Sequence, residues 1–166
     1  MTLTYRYTLT RETNLLEGCG EALFVMLNPS TADERKDDPT IRRCMGFARR
    51  EGLAGFMVVN LFGLRATEPR VLLMADDRVG PENDLALLDA FARFREPIAA
   101  WGALHPRLWY RTRHVLTRFG NTPDRRWRCL GTTSDGHPRH PLMLRAEQRF
   151  QDFDAAAYVA RLERGT

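Results

Sequence analysis

Four short apolar runs punctuate the chain, each followed by a loop and then a helical pattern. Glu21-Ala-Leu-Phe-Val-Met-Leu27 ends in Asn28-Pro29-Ser30, and Phe56-Met-Val-Val-Asn-Leu-Phe62 ends at Gly63. Pro97-Ile-Ala-Ala-Trp-Gly102 and Trp127-Arg-Cys-Leu-Gly131 complete the set. Runs this short and continuous predict strands covered on both faces. Between them, Thr40 to Glu51 places Ile41, Cys44, Met45, Phe47 and Ala48 on one stripe with arginines opposite. Asp38 or Thr40 is available to cap that helix and Gly52 to end it. Pro81 to Phe94, Pro106 to Phe119 and Asp154 to Leu162 read as further helices, and the alternation in residues 4–11 predicts an N-terminal edge hairpin. Strand and helix alternating at this spacing predict one α/β domain over residues 1–166. Its expected form is a three-layer α/β/α sandwich around a central four-stranded, mainly parallel sheet.

Composition narrows the class. The chain has 166 residues, 43% hydrophobic and 28% charged, a globular balance. No apolar run nears the ~20 residues of a membrane span, and Met-Thr-Leu-Thr-Tyr-Arg-Tyr at the start has no signal-peptide stretch. Cys19, Cys44 and Cys129 are an odd number without a CxxC pair, so neither a disulfide framework nor a zinc site is expected, and the cytoplasm is the expected compartment. Secreted, membrane and fibrous classes are excluded. The net charge is +4, and Lys36 is the single lysine among 25 basic residues. Arginine forks suit phosphates and nucleic acids; a GC-rich genome writing arginine for lysine explains the bias equally well. The charge forms no tract.

Ligands of open parallel sheets bind outside the carboxyl ends of the strands, and each predicted end carries an unusual polar group. Asn28 is fixed by Pro29 after the first strand; it either closes an Asx-turn or meets a ligand. Asn60 interrupts an apolar strand, as a structural bridge or as a reader of a nucleobase edge. Trp101-Gly102 ends the third strand, where the glycine permits close approach of a ligand or a tight turn. After the fourth strand, His137-Pro138-Arg139-His140-Pro141 makes a rigid polar loop able to donate to a developing anion. Asn83 and Asp84 are expected to satisfy first-turn amides of the following helix. Phosphate loops, a GxSxG elbow and HExxH are absent.

Met26-Leu-Asn-Pro-Ser-Thr-Ala32, Asp38-Pro-Thr40, Val59-Asn-Leu-Phe62, Arg65-Ala-Thr67, Val79-Gly-Pro-Glu-Asn-Asp84, Trp101-Gly102 and Arg139-His-Pro-Leu142 together closely resemble the bacterial family DUF1643. A more distant resemblance is to the uracil-DNA glycosylase superfamily. Leu27-Asn28-Pro29-Ser30 is similar to its GINPG motif, Val58-Val59-Asn60 to LLLN, Ala100-Trp101-Gly102 to LWG, and His137-Pro138 or His140-Pro141-Leu142 to HPSPL.

The resemblance implies roles. Asn28 would position a water for attack at the sugar C1′. Asn60 would read a flipped base, and His140, or His137 in the other register, would donate to the leaving base. Pro29, Ser30, Trp101 and Gly102 would complete the substrate site, Phe47 or Phe62 would stack on the base, and Arg65 and Arg139 would contact phosphate. No aspartate stands in the GQDPY position. The expected function is hydrolysis of the N-glycosidic bond of a damaged or modified base in DNA, without metal or organic cofactor. Two alternatives stay open: a non-catalytic nucleotide or nucleic-acid binding module, and an enzyme acting on a free nucleoside or nucleotide. The expected partner is DNA or a nucleotide, with no membrane, and a monomer is expected.

Overall fold

A computed structural model describes residues 3–165. Its centre is one six-stranded mixed sheet in the order β1-β3-β2-β4-β5-β6. The strands are β1 (Thr8–Glu12), β2 (Glu21–Met26), β3 (Gly55–Asn60), β4 (Ile98–Ala99), β5 (Arg128–Cys129) and β6 (Gln151–Asp152). The four inner strands run parallel; β1 joins β3 and β6 joins β5 antiparallel at the two edges.

The expected sheet is thus enlarged by two strands. Residues 4–11 supply an edge strand but not a hairpin, because β1 pairs with β3 and not with its sequence neighbour β2. Alternation marks a strand and is silent about its partner. Strand β6 is two exposed residues and carries no apolar signature.

Parity along β2 builds two cores. Leu23 and Val25 point to one face, among Leu87, Phe91, Trp101, Val115, Trp127 and Tyr158. Ala22, Phe24 and Met26 point to the other, among Ile41, Cys44, Phe47, Phe56 and Leu130. Helix α1 (Pro39–Arg50) covers the second face with Ile41, Cys44, Phe47 and Ala48. Asp38 caps it, accepting from the Ile41 N–H at 2.8 Å, and Arg49 and Arg50 suit the negative end of its dipole. Helix α2 (Pro69–Met74) is a short connector with no counterpart in the expected elements. Helices α3 (Asn83–Arg93), α4 (Trp109–Val115, running into a π-turn to Gly120) and α5 (Ala155–Arg164) contribute to the first face.

Helix α3 starts later than Pro81, since Gly80 turns at φ 85° and the Asn83 side chain caps nothing in its own helix. It donates instead to the carbonyls of Asn60 and Leu61, each at 3.0 Å. Asp84 pairs with the buried Arg111 at 2.7 Å, and the Arg111 Nε donates to the same Leu61 carbonyl at 2.6 Å. Asp84 sits in the first turn, where its charge suits the helix dipole as expected, whereas the expected capping role of Asn83 gives way to a clamp on the end of β3. Among the described residues no helix is long and apolar enough to cross a membrane.

Candidate functional site

A cleft of about 370 Å³ opens at the C-terminal ends of the parallel strands, beside the start of α1. Met26, Val58 and Ile41 form its apolar wall; Asn28, Asn60, Asp38, His140 and Arg6 bring polar groups to it. The volume suits a small molecule or a single extruded group, and a few convergent polar atoms in an apolar setting are the usual make-up of such sites.

Asn28 follows β2 directly. Its amide NH2 faces carbonyl oxygens, donating to Ala66 at 2.8 Å and Pro29 at 3.1 Å. Because carbonyls only accept, this fixes which end of the amide is nitrogen. The Asn28 Oδ1 accepts from no described residue, so it is left as a rigidly held acceptor on the cleft wall.

Asn60, the last residue of β3, is 3% exposed, yet no described residue hydrogen-bonds its carboxamide. Its polar atoms are also absent from those sealed without a partner, so the small opening they have is into the cleft. Its backbone, by contrast, is gripped by Asn83. A buried carboxamide with unused hydrogen-bonding capacity is costly without a ligand or water to complete it.

His140 faces the same space. Its Nδ1 accepts from the Leu142 N–H at 3.2 Å, capping the 3-10 turn Pro141–Met143, so the ring proton of the neutral form lies on Nε2. Burial pushes the imidazole below the usual histidine range, with Asp38 opposing, and the neutral form holds at pH 7. Gly102 stands behind it at φ 77°, where an added Cβ would come within 3.3 Å of the His140 Cβ. Gly102 therefore seats the histidine.

Trp101 lines the cleft and marks its limit. Its indole N–H donates to the Tyr158 hydroxyl at 3.2 Å, and that hydroxyl bonds the His137 Nδ1 at 2.8 Å. His137 is buried behind Trp101, against Tyr158 and Trp109, and does not reach the cleft. Between the two registers of the His-Pro motif, the geometry selects His140.

The remaining expected residues divide. Pro29 and Ser30 line the cleft. Phe62 does not: the strand ends at Asn60, the two-residue alternation lapses, and Phe62 is buried in the opposite core against Tyr110. Arg65 sits at the rim, its Nε donating to the Ser30 carbonyl at 3.4 Å. Arg139 turns away, donating to the Thr132 carbonyl at 3.0 Å beside a separate surface hollow.

Two charged participants were not anticipated as site residues. Arg6 comes from the segment before β1, which lies along the outgoing end of β3 (Arg6 N–H to Gly63 carbonyl, 3.0 Å). Asp38 arrives as the cap of α1, with one carboxylate oxygen on Ile41 and no described donor on the other. The second had a signal, since a cap before an amphipathic helix is positioned at the sheet's ligand-binding end. Among the described residues no cluster of three His, Cys, Asp or Glu side chains is placed to hold a metal ion.

No curated protein and no solved structure matches the chain. A family model does, over residues 6–142, a span that begins and ends on cleft-lining residues, Arg6 and Leu142. The chain therefore belongs to the family described as protein of unknown function (DUF1643).

Proposed function

We propose that this protein hydrolyses an N-glycosidic bond, releasing a damaged or modified base from DNA, on a sheet of the uracil-DNA glycosylase kind. The observation that carries this reading is the convergence of Asn28, Asn60 and His140, from three separate strand ends, on one cleft. Four parallel inner strands, with the cleft at their C-terminal ends, support it as well.

Each group has a task. The carboxamide of Asn60 offers an acceptor and two donors to the edge of an extruded base. The Asn28 Oδ1 accepts from a water and aims its oxygen at C1′. As the C1′–N bond breaks, its electron pair moves onto the base. The neutral His140 donates its Nε2–H to the base oxygen on which that charge collects. Water's oxygen bonds to C1′, and its proton passes to the base or the solvent. The Asp38 carboxylate lines the same cleft, and with a sugar bound there its charge would favour positive character at C1′, a service the GQDPY aspartate is not present to give. A neutral imidazole suits this work, since it stabilises an anionic leaving group without first having to be protonated.

The test is a base-release assay on DNA oligonucleotides carrying deaminated, alkylated and hypermodified bases. Mass spectrometry detects the free base and alkali cleavage the abasic site. Release is expected for part of the panel and is expected to fall at least ~100-fold in Asn28→Ala, with the thermal transition intact. A rate unchanged by Asn28→Ala would sink the assignment. Binding without any release would favour the non-catalytic module instead.

A further inference from the structure

Arg6 is the single guanidinium among the described residues lining the cleft. One terminal nitrogen donates to the Ala32 carbonyl, tying the edge segment to the loop after β2. Its Nε is sealed from solvent with no acceptor among the described residues. The ion pairs of the described residues engage other arginines, and none engages Arg6. Burial, followed by the like charge of Arg65, pushes this guanidinium below the usual arginine range; Asp38 and Asp33 offset part of the effect.

A half-buried cation without a direct ion-pair partner, next to a second cation, is an unfavourable arrangement in a protein alone. It becomes favourable when an anion enters. Around it the hydroxyls of Ser30, Thr40 and Thr67 line the same cleft, and no hydrogen bond to a described residue engages them. A guanidinium fork with several free hydroxyl donors is the chemistry that holds the oxygens of a phosphate.

We propose that Arg6 is the receptor for a phosphate carried on the sugar of the nucleoside in the cleft, so that the ligand is a nucleoside phosphate and not a bare nucleoside. This rests on the reading of Asn60 and His140 as the nucleobase end. Ser30, Thr40 and Thr67 complete the phosphate's hydrogen bonds, and Arg65 at the rim adds attraction at longer range. The phosphate is either the diester of a DNA strand or the monoester of a free nucleotide, and both present at least two anionic, non-bridging oxygens to Arg6.

Titration calorimetry on the full chain tests this with matched pairs of nucleosides and their 5′-monophosphates, together with single-stranded tetranucleotides. The phosphorylated member of a bound pair is expected to bind at least ~10-fold tighter, and Arg6→Gln is expected to collapse that gap. Equal affinities within pairs, or a gap that persists in Arg6→Gln, would overturn the proposal. A tetranucleotide favoured over the monophosphate identifies the diester, the reverse order the monoester; either supports the phosphate when it depends on Arg6.

A second measurement needs no variant. Inorganic phosphate is expected to shift the Arg6 Nε–H resonance of the unsubstituted protein, and no shift up to tens of millimolar overturns the site. A shift without binding of any nucleoside keeps the anion site and removes the nucleobase reading. Base release with no Arg6-dependent gap does the opposite.

Discussion

His137 and His140 stand three positions apart on one loop and on opposite sides of Trp101. Burial pushes both below the usual histidine range. Their surroundings differ in what remains unused. His137 bonds Tyr158, and Tyr158 bonds Trp101, so the polar groups behind the indole satisfy one another. His140 uses Nδ1 locally and keeps Nε2 for the cleft, where Asn28 and Asn60 also have capacity to spare. The difference teaches that burial or a lowered pKa alone does not mark a histidine as a candidate donor. Unused hydrogen-bonding capacity next to open space does.

The sharpest way to break this contrast is to remove each ring in turn. His140→Ala is expected to slow base release by ~100- to 1,000-fold, the scale of losing one donor to a developing anion. His137→Ala is expected to leave the rate within about threefold while lowering the melting temperature. Rates that fall together in both variants would erase the distinction.

Next in size is Asn60 against Asn83. Asn60→Ala is expected to weaken nucleobase-dependent affinity by about 10- to 100-fold, because it deletes the reading edge. Asn83→Ala is expected to cost about 1–3 kcal/mol of stability in denaturant unfolding by removing two buried hydrogen bonds. Its effect on affinity should be smaller and should act through the position of Asn60. A neutral result in unfolding would remove the clamp.

The pH dependence is subtler. Since both folded-state pKa values lie below the unfolded 6.5, the unfolded chain binds more protons in the interval between them. Stability from these two groups is therefore full above 6.5 and declines as pH falls below it. Base release should likewise hold down through pH 6.5 and decline only at the lower pKa of His140. An acid limb at or above 6.5 would contradict a neutral donor. Smallest of all, Tyr158→Phe is expected to cost about 1 kcal/mol, read as a modest shift in melting temperature, with release within about twofold.

The inner strands were legible because burial on both faces leaves unbroken apolar runs, and α1 because its stripe and cap agree. The edge strands were less so. An edge strand needs little apolar character, and its partner is decided by loops whose path no local pattern encodes. At the site, Asn28, Asn60, Trp101 and His140 were visible because each sits at the end of a readable strand. Phe62 misled by position, two residues past Asn60, where strand parity no longer applies. Arg6 was invisible for a different reason. It lies outside the parallel unit altogether, and only the antiparallel pairing of the N-terminal segment along Gly63 and Leu64 carries it to the cleft.

That pairing has a consequence for folding. Arg6 precedes β1 and His140 follows β5, so the cleft is absent until both of these distant segments are docked on the sheet. Contacts of such sequence separation form late and slowly. A ligand that needs both ends would bind the finished fold and no partly folded intermediate, and would stabilise that fold by mass action. Ligand occupancy thereby doubles as a report that the two distant segments have docked and the sheet is fully assembled.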